Sequence, residues 1–223
     1  MMHEIKNKPD YASLHVTLQQ GEAVVAESGA LMGMSGGVKM ETSMKGGLFA
    51  AAKRALGGES VFLNTYTASA DGQRCDFAPP TPGDMLHIPM SGNTVMVQRG
   101  SYVASSGTVT ADAKWGGAKS FFAGEGLFML KCTGQGDLWI GSYGAIAEHR
   151  VEGTYIVDTT HVVGFDDSLT YTVRKVGGMK SFFLSAEGLV VEFSGHGRVW
   201  FQTRSAPSLA GFLNPFRILV QKN

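Results

Sequence analysis

Short apolar runs separated by glycine-containing turns recur along this chain. In its second half, the runs that predict strands are 127–130, 138–140, 189–193 and 199–201. Apolar and β-branched runs between turn signals are typical of β-strands. Segments 133–136 and 194–197 both contain Gly-x-Gly, which is typical of hairpin loops that need positive φ. The hydrophobic pattern therefore predicts an all-β protein.

One set of landmarks occurs twice and is echoed a third time. Residues 116–140 and 177–201 share, in order, a Gly-Gly pair, Lys-Ser-Phe-Phe, Glu-Gly-Leu, Gly-x-Gly and a tryptophan. A β-rich run upstream of each copy also resembles residues 23–32. Self-similarity at a fixed spacing indicates a repeat architecture. We therefore predict three β modules, and the predicted divisions are 11–83, 84–146 and 147–206, with a C-terminal tail at 207–223.

Turn residues predict how the first module is built and where it ends. Asp71-Gly72 lies between the apolar runs 61–67 and 74–77, which predicts a hairpin. Three prolines within 78–83 exclude a central strand, so this segment is the predicted link to the second module. A small β module has exposed edge strands that recruit neighbours. We therefore predict an oligomer.

Two apolar segments interrupt the β pattern. Residues 48–56 are rich in helix formers and place their apolar side chains on one face. The tail is also apolar, and Pro215 would interrupt a helix there. Such additions usually cover a surface, so we expect them at a membrane or at a subunit interface. The residues expected there are Leu48, Phe49, Leu56, Phe212, Leu213 and Phe216.

Composition restricts the class of partner. The 223 residues carry 19 basic and 19 acidic side chains, so the chain lacks the positive charge that drives binding to nucleic acids. Cys75 and Cys132 are isolated, which suits a reducing compartment. The start has no signal-peptide pattern, and no apolar run approaches the ~18 residues that span a bilayer. These features predict a cytoplasmic protein.

The sequence offers weak catalytic and metal-binding patterns. Residues 33–37 match the nucleophile-elbow pattern Gly-x-Ser-x-Gly around Ser35, but a strand-like alternation follows instead of a helix, so we interpret the segment as a turn. His15, His87 and His149 each lie near the start of a module, and three such histidines could bind zinc. Their registers do not match, however. We therefore predict no enzyme, no cofactor and no metal site.

Two other sets of residues recur between modules. Glu59, Glu125 and Glu187 share one position and are candidates for binding a ligand or a subunit, although each could instead accept backbone hydrogen bonds or pair with a lysine. Trp139 and Trp200, with Phe121, Phe122, Phe182 and Phe183, could form a platform for stacking bases. Because these aromatic residues repeat at strand positions, we predict that they pack in the core.

Several motifs resemble one known family in order along residues 14–205. They are Gly21-Glu22, Glu27-x-Gly29-Ala30, Pro82-Gly83-Asp84, Gly124-Glu125-Gly126-Leu127-Phe128, Gly134-x-Gly136, Ser142-Tyr143-Gly144-Ala145-Ile146, Val157-Asp158 and Glu187-Gly188-Leu189-Val190. The pattern resembles the altered inheritance of mitochondria protein 24 family, once a domain of unknown function. The resemblance implies β-sandwich modules similar to the tryptophan RNA-binding attenuation protein, assembled as a homotrimer with nine modules in a ring.

The resemblance does not carry every family property to this chain. The fungal namesake is mitochondrial and linked to inner-membrane organisation, whereas this chain has no transit segment and is interpreted as a prokaryotic relative. RNA binding by the attenuation protein is not transferred, because Lys119 and Lys180 match between modules but the first module offers only Lys53 nearby.

The function predicted from the sequence is a non-enzymatic homotrimeric β scaffold that binds a partner protein or a membrane surface. The alternative is a small-ligand-binding module that uses the clefts between modules. RNA binding by analogy of fold and hydrolysis at Ser35 are weaker alternatives.

Overall fold

The computed structural model of the chain describes residues 1–43, 63–112, 121–122, 127–175 and 189–217. Strands dominate these residues, which confirms the predicted all-β class. In chain order the strands are β1 (Met2–Lys6), β2 (Ser13–Leu18), β3 (Ala23–Glu27), β4 (Leu31–Met34), β5 (Lys39–Ser43), β6 (Leu63–Thr67), β7 (Gln73–Phe77), β8 (Met85–Gln98), β9 (Tyr102–Ser106), β10 (Val109–Asp112), β11 (Phe121–Phe122), β12 (Leu127–Gly141), β13 (Ile146–Asp158), β14 (Val162–Asp166), β15 (Thr170–Lys175) and β16 (Leu189–Gln202).

The strands form two antiparallel sheets. A four-stranded sheet has the order β1-β2-β7-β4. A twelve-stranded sheet follows the order β13-β16-β14-β8-β12-β9-β3-β6-β5, with β10 and β11 added on β12 and β15 added on β16. Thus β13 and β5 lie at the two ends of the large sheet, and β4 is an edge of the small one.

The predicted hairpin loops at 133–136 and 194–197 are wrong. Both segments lie inside the continuous strands β12 and β16. Gly134 has a φ of 135°, and the pairing of β12 with β8 shifts register there. A side chain at Gly134 would collide with the carbonyl oxygen of Thr108. Gly134 therefore marks a bulge and a close approach of two backbones within a strand that continues, and not the end of that strand.

The predicted hairpin at Asp71-Gly72 is also wrong, although a turn is present. Strand β6 pairs with β3 and β5 in the large sheet, whereas β7 pairs with β2 and β4 in the small one. The turn therefore connects two sheets. Gly72 supplies the positive φ of 74° that such a turn needs, but turn residues do not decide whether the flanking strands pair with each other. Segment 78–83 contains no strand, as its prolines predict.

The pairing pattern recurs along the chain. The short strands β4, β9 and β14 pair with β7, β12 and β16, and each of these pairings has the same irregularity, in which one residue is skipped. A 3-10 helix precedes both β9 and β14, at Arg99–Ser101 and Thr159–His161. Division into three superposable modules stays a prediction, and the inserted helix at 48–56 lies outside the described residues.

Buried apolar residues form three clusters that cross the predicted module boundaries. The cluster around the small sheet includes Leu14 and Phe77 and also Trp139 from β12. The next includes Trp200 from β16 together with Val97 from β8, and the third joins Met96 to residues of the last segment. Both tryptophans are fully buried, as expected for core packing. Neighbouring segments therefore share their cores.

One α-helix, α1 (Ala206–Leu213), follows the last strand. The Ser205 side chain caps it by accepting a hydrogen bond from the backbone N–H of Ser208, and the helix ends before Pro215. A 3-10 turn continues over Asn214–Phe216. Neither α1 nor any other helix among the described residues is long and apolar enough to cross a membrane.

Candidate functional site

One cross-strand position recurs next to the repeated irregularity. Here a residue of β2, β8 or β13 lies directly opposite a residue of β7, β12 or β16. The facing pairs are His15 with Asp76, His87 with Trp139, and Glu148 with Trp200. Residues that face each other across antiparallel strands are close enough for their side chains to interact. The three sites therefore share one backbone frame but carry different chemical groups.

The same hydrogen bond supports each of these sites. In each site, the residue two positions before Asp76, Trp139 or Trp200 donates its backbone N–H to a side-chain oxygen, at 2.9 Å in every case. The accepting residue lies at the end of β9 or β14, or just after β4. The donors and acceptors are Arg74 with Ser35 Oγ, Asp137 with Ser106 Oγ, and Arg198 with Asp166 Oδ2. Ser35, the proposed nucleophile of the elbow pattern, thus lies in a turn and accepts this bond.

The first site contains a Ser-His-Asp chain. Ser13 Oγ lies 3.0 Å from Nε2 of His15, whose Nδ1 lies 2.7 Å from Oδ1 of Asp76. Burial alone would raise the pKa of Asp76, but hydrogen bonds with Arg74 and His15 outweigh it and hold that pKa below its usual value. The distances resemble those of a catalytic triad.

Two features oppose catalysis by this chain of residues. Ser13 is only 4% exposed, so a substrate has no access to its hydroxyl. The Arg74 guanidinium lies 2.6 Å from Nδ1 of His15. It therefore competes with Asp76 for the ring nitrogen that the aspartate of a triad holds. The geometry is better suited to a structural network.

The second site brings two imidazoles and one carboxylate together. Nε2 of His87 lies 2.7 Å from Oδ1 of Asp137, and the His3 ring of β1 lies 4.2 Å, centroid to centroid, from the His87 ring. One ligand atom from each of His3, His87 and Asp137 fits within a mutual distance of 4.8 Å. Trp139 packs against both imidazole rings, at 5.1 and 5.8 Å. Such groups can hold a proton or a cation.

Electrostatics favours a neutral His3 ring. Partial burial lowers the pKa of His3 below its ordinary value, and the nearby His87 lowers it further, while Asp137 has the opposite effect. His87 stands where the last segment has Glu148, which accepts a hydrogen bond from the Trp200 indole at 2.9 Å. At the second site, the buried Nε1–H of Trp139 has no such partner among the described residues.

The third site is an ion-pair network beside a shallow cleft. Arg198 donates from Nε and Nη2 to the two carboxylate oxygens of Asp166, each at 2.9 Å, and these bonds raise its pKa. The guanidinium also lies 4.8 Å from the centre of the Trp200 ring. A cleft of about 350 Å³ beside it is lined by two arginines and two carboxylates, a balance that favours neither an anion nor a cation.

The residues predicted to bind a ligand, a membrane or a subunit are not brought into these sites. Glu59, Glu125, Glu187, Leu48, Phe49 and Leu56 lie outside the described residues. Phe212 and Leu213 end helix α1 and Phe216 follows them, all exposed to solvent. Of the three histidines, His87 enters the second site, His15 binds Asp76 and His149 stacks on Tyr155.

Sequence comparison identifies the family. The sequence profile described as "Mitochondrial biogenesis AIM24" matches residues 3–204, which is nearly the whole chain. The chain belongs to the AIM24 family. The match confirms the resemblance noted in the motifs, and it includes all three cross-strand sites.

The chain is also similar to two streptococcal proteins. An uncharacterized protein of Streptococcus pyogenes serotype M6 is 25% identical over 226 residues, covering 97% of this chain and 91% of its own length. A crystal structure of a Streptococcus pyogenes protein superposes with a TM-score of 0.81 at 24% identity, covering 97% of this chain and 99% of the other. This second likeness shows the fold alone.

The sequence reasoning missed His3 and Asp137. Asp137 could have been found, because it lies two residues before Trp139 and so shares its face of the strand. His3 could not, because nothing in the hydrophobic pattern predicts that the first strand lies against β8 and β12.

Proposed function

We propose that this AIM24-family chain is a non-enzymatic, homo-oligomeric β scaffold whose copies join edge to edge, strand against strand. The support comes from joints that already exist inside one chain. Strand β9 pairs with β3, placing Ser105 opposite Val25, and β14 pairs with β8, placing Phe165 opposite Met96. Ser105, Phe165 and Met96 are buried in these joints.

The two edge strands β4 and β13 have the positions needed for a third strand pairing of this kind. Counted from the residue that is skipped in each pairing, Met34 of β4 stands at the same position as Ser105 of β9 and Phe165 of β14. Ile156 of β13 occupies the position of Met96. No strand among the described residues pairs with the outer side of β4 or of β13. Met34 is 44% exposed and Ile156 is 47% exposed, whereas Ser105, Phe165 and Met96 at the equivalent positions are buried and Val25 is half-buried.

The proposed contact places β4 of one copy against β13 of the next, with Met34 opposite Ile156. Because the two edges differ, the contact is head-to-tail, and such contacts close into rings when the rotation per copy permits. Three copies would give the nine-module ring implied by the resemblance to the tryptophan RNA-binding attenuation protein. The cytoplasm is part of the same proposal, since both cysteines are free thiols.

The mass of the protein in solution tests this proposal. We expect the wild-type chain to have about three times the monomer mass of 23.7 kDa by light scattering after size exclusion. Met34→Asp and Ile156→Asp should each shift it to the monomer mass, because a carboxylate buried in the joint without a partner is strongly unfavourable. Met40→Asp is the matched control, since Met40 is 49% exposed on the unrelated edge strand β5.

Two results would contradict different parts of this proposal. A monomeric wild-type protein at working concentration would contradict the scaffold. A wild-type oligomer that Met34→Asp and Ile156→Asp leave intact would contradict this joint. Circular dichroism of each variant checks that its strands persist.

A second candidate function is contact with a membrane surface through the C-terminal helix. Phe212 is 68% exposed and Phe216 is 72% exposed, and their rings lie 5.8 Å apart. Leu209 and Leu213 extend this apolar surface. One short helix binds a bilayer weakly, but several copies on one face of an oligomer would add their affinities.

Flotation with lipid vesicles tests the membrane candidate. We expect wild-type protein to float with vesicles of phosphatidylcholine and phosphatidylglycerol, and the double substitution Phe212→Ser/Phe216→Ser to remove most of the floated fraction. Met40→Ser is the control, because Met40 is 49% exposed on β5, at the end of the large sheet farthest from β16, the strand that α1 follows. Absence of wild-type flotation, or an equal loss in Met40→Ser, would contradict the membrane role.

A further inference from the structure

The second cross-strand site draws its groups from both sheets. His3 lies on β1 of the small sheet, while His87 and Asp137 lie on β8 and β12 of the large sheet. Within each strand these residues share the face that packs on Trp139, as the ring contacts of both histidines show. The arrangement therefore depends on how the chain folds and not on a local sequence motif.

The distances approach those of a metal coordination shell. Zinc binds imidazole nitrogen and carboxylate oxygen at about 2.0–2.2 Å, which puts neighbouring ligands of a tetrahedral ion roughly 3.3 Å apart. The three ligand atoms lie within 4.8 Å of one another, and Nε2 of His87 is 2.7 Å from Oδ1 of Asp137. Small rotations of the side chains would bring all three to coordinating distances.

Neighbouring groups hold the prospective ligands in place. Ser106 Oγ accepts a hydrogen bond from the backbone N–H of Asp137 and lies 3.3 Å from its Oδ2, to which it donates. Oδ1 is left to face His87. Trp139 is fully buried beneath both imidazoles and limits their rotation. Hydrogen bonds and packing of this kind orient metal ligands in proteins.

A second histidine–aspartate pair in the same chain has surroundings that disfavour a cation. His15 and Asp76 are also 2.7 Å apart. There, however, the Arg74 guanidinium lies 2.6 Å from His15 Nδ1 and 2.6 Å from Asp76 Oδ1, which would repel a cation. At the second site a third ligand, His3, stands nearby instead of an arginine.

We propose that His3, His87 and Asp137 bind one divalent transition-metal ion, with zinc the ion expected from two imidazoles and one carboxylate. Three protein ligands leave a fourth position for water or for a small anion. The ion would fasten β1 to β8 and β12 and so tie the two sheets together. All three ligands come from one copy of the chain.

Zinc titration of the tag-free full-length chain tests the proposal. After treatment with EDTA and its removal, calorimetry with zinc chloride should give one ion per chain, and zinc should raise the unfolding temperature. Substitution of Zn²⁺ by Co²⁺ should give the visible absorption of a four-coordinate site. We expect His3→Gln, His87→Gln and Asp137→Asn each to weaken zinc binding at least about tenfold, since each removes a ligand.

His15→Gln is the matched control and should bind zinc as the wild-type protein does. The proposal is overturned if the wild-type chain binds no zinc at micromolar concentrations. It is also overturned if His15→Gln weakens binding as much as His87→Gln does. Because His3 lies on an edge strand, His3→Gln should fold whatever happens to the other variants, and a folded His3→Gln that keeps wild-type affinity would likewise refute the site.

Discussion

Gly134 lies inside strand β12 with a φ of 135°, where a side chain would meet the carbonyl oxygen of Thr108. Gly153 of β13 also has a positive φ, 107°, but open space surrounds the position of its missing side chain. The two glycines therefore separate the cost of backbone conformation from the cost of close approach.

We predict that Gly153→Ala lowers the free energy of unfolding by about 1–3 kcal/mol, the usual cost of an unfavourable φ. Gly134→Ala should cost roughly 1–3 kcal/mol more, because the added methyl group displaces neighbouring backbone. Urea unfolding of both variants at one protein concentration measures the difference. If both variants lost the same free energy of unfolding, the close approach of Gly134 to Thr108 would contribute nothing to the cost.

Gly134 also shows what the sequence could and could not predict. Gly-x-Gly correctly marked a backbone that needs glycine, but a bulge within a strand and a hairpin use the same residue type. Only the pairing partners separate the two, and these are set by distant segments. His3 was missed for a related reason, since its neighbours His87 and Trp139 are remote in sequence.

At the scale of strands, β4 and β13 are the elements on which the proposed assembly depends. Within the chain, the equivalent joints align Phe165 with Met96 and Ser105 with Val25. Facing residues of antiparallel strands have Cα atoms about 4.5–5.5 Å apart, which falls within the range that a disulfide spans. Cysteines at facing positions of two copies should therefore cross-link.

We predict that Met34→Cys/Ile156→Cys forms covalent oligomers on mild oxidation, visible on a non-reducing gel. Both double variants carry Cys75→Ala as well, because Cys75 faces residue 34 across β4 and β7 and would otherwise compete for the new thiol. Burial raises the pKa of the other native thiol, Cys132, to about 12, so we expect it to stay unreactive. Met40→Cys/Ile156→Cys serves as the control and should stay uncross-linked. Equal cross-linking in both double variants would mean that collisions, and not a defined register, bring the strands together.

The elements themselves were predictable only in part. Apolar runs and glycine turns identified the all-β class, since these signals are local. They did not identify the continuity of β12 and β16, or the assignment of β6 and β7 to different sheets, since strand pairing is decided by packing between distant residues.

For the whole molecule, shared cores limit how independent the three segments can be. Trp139 of β12 packs with the residues of the small sheet, and Trp200 of β16 packs with residues of β8 and β12. Removing one segment would expose apolar surface of its neighbour. The chain should therefore unfold as one cooperative unit, although its strand pattern recurs.

In the proposed assembly, the difference between the edge strands β4 and β13 has a consequence for growth. A molecule that carries both halves of one contact has no chemical signal that stops addition of further copies. Only the curvature accumulated from copy to copy brings the first and last molecules together. A substitution that altered the twist between neighbouring copies, without weakening the contact itself, would turn a finite particle into an open filament.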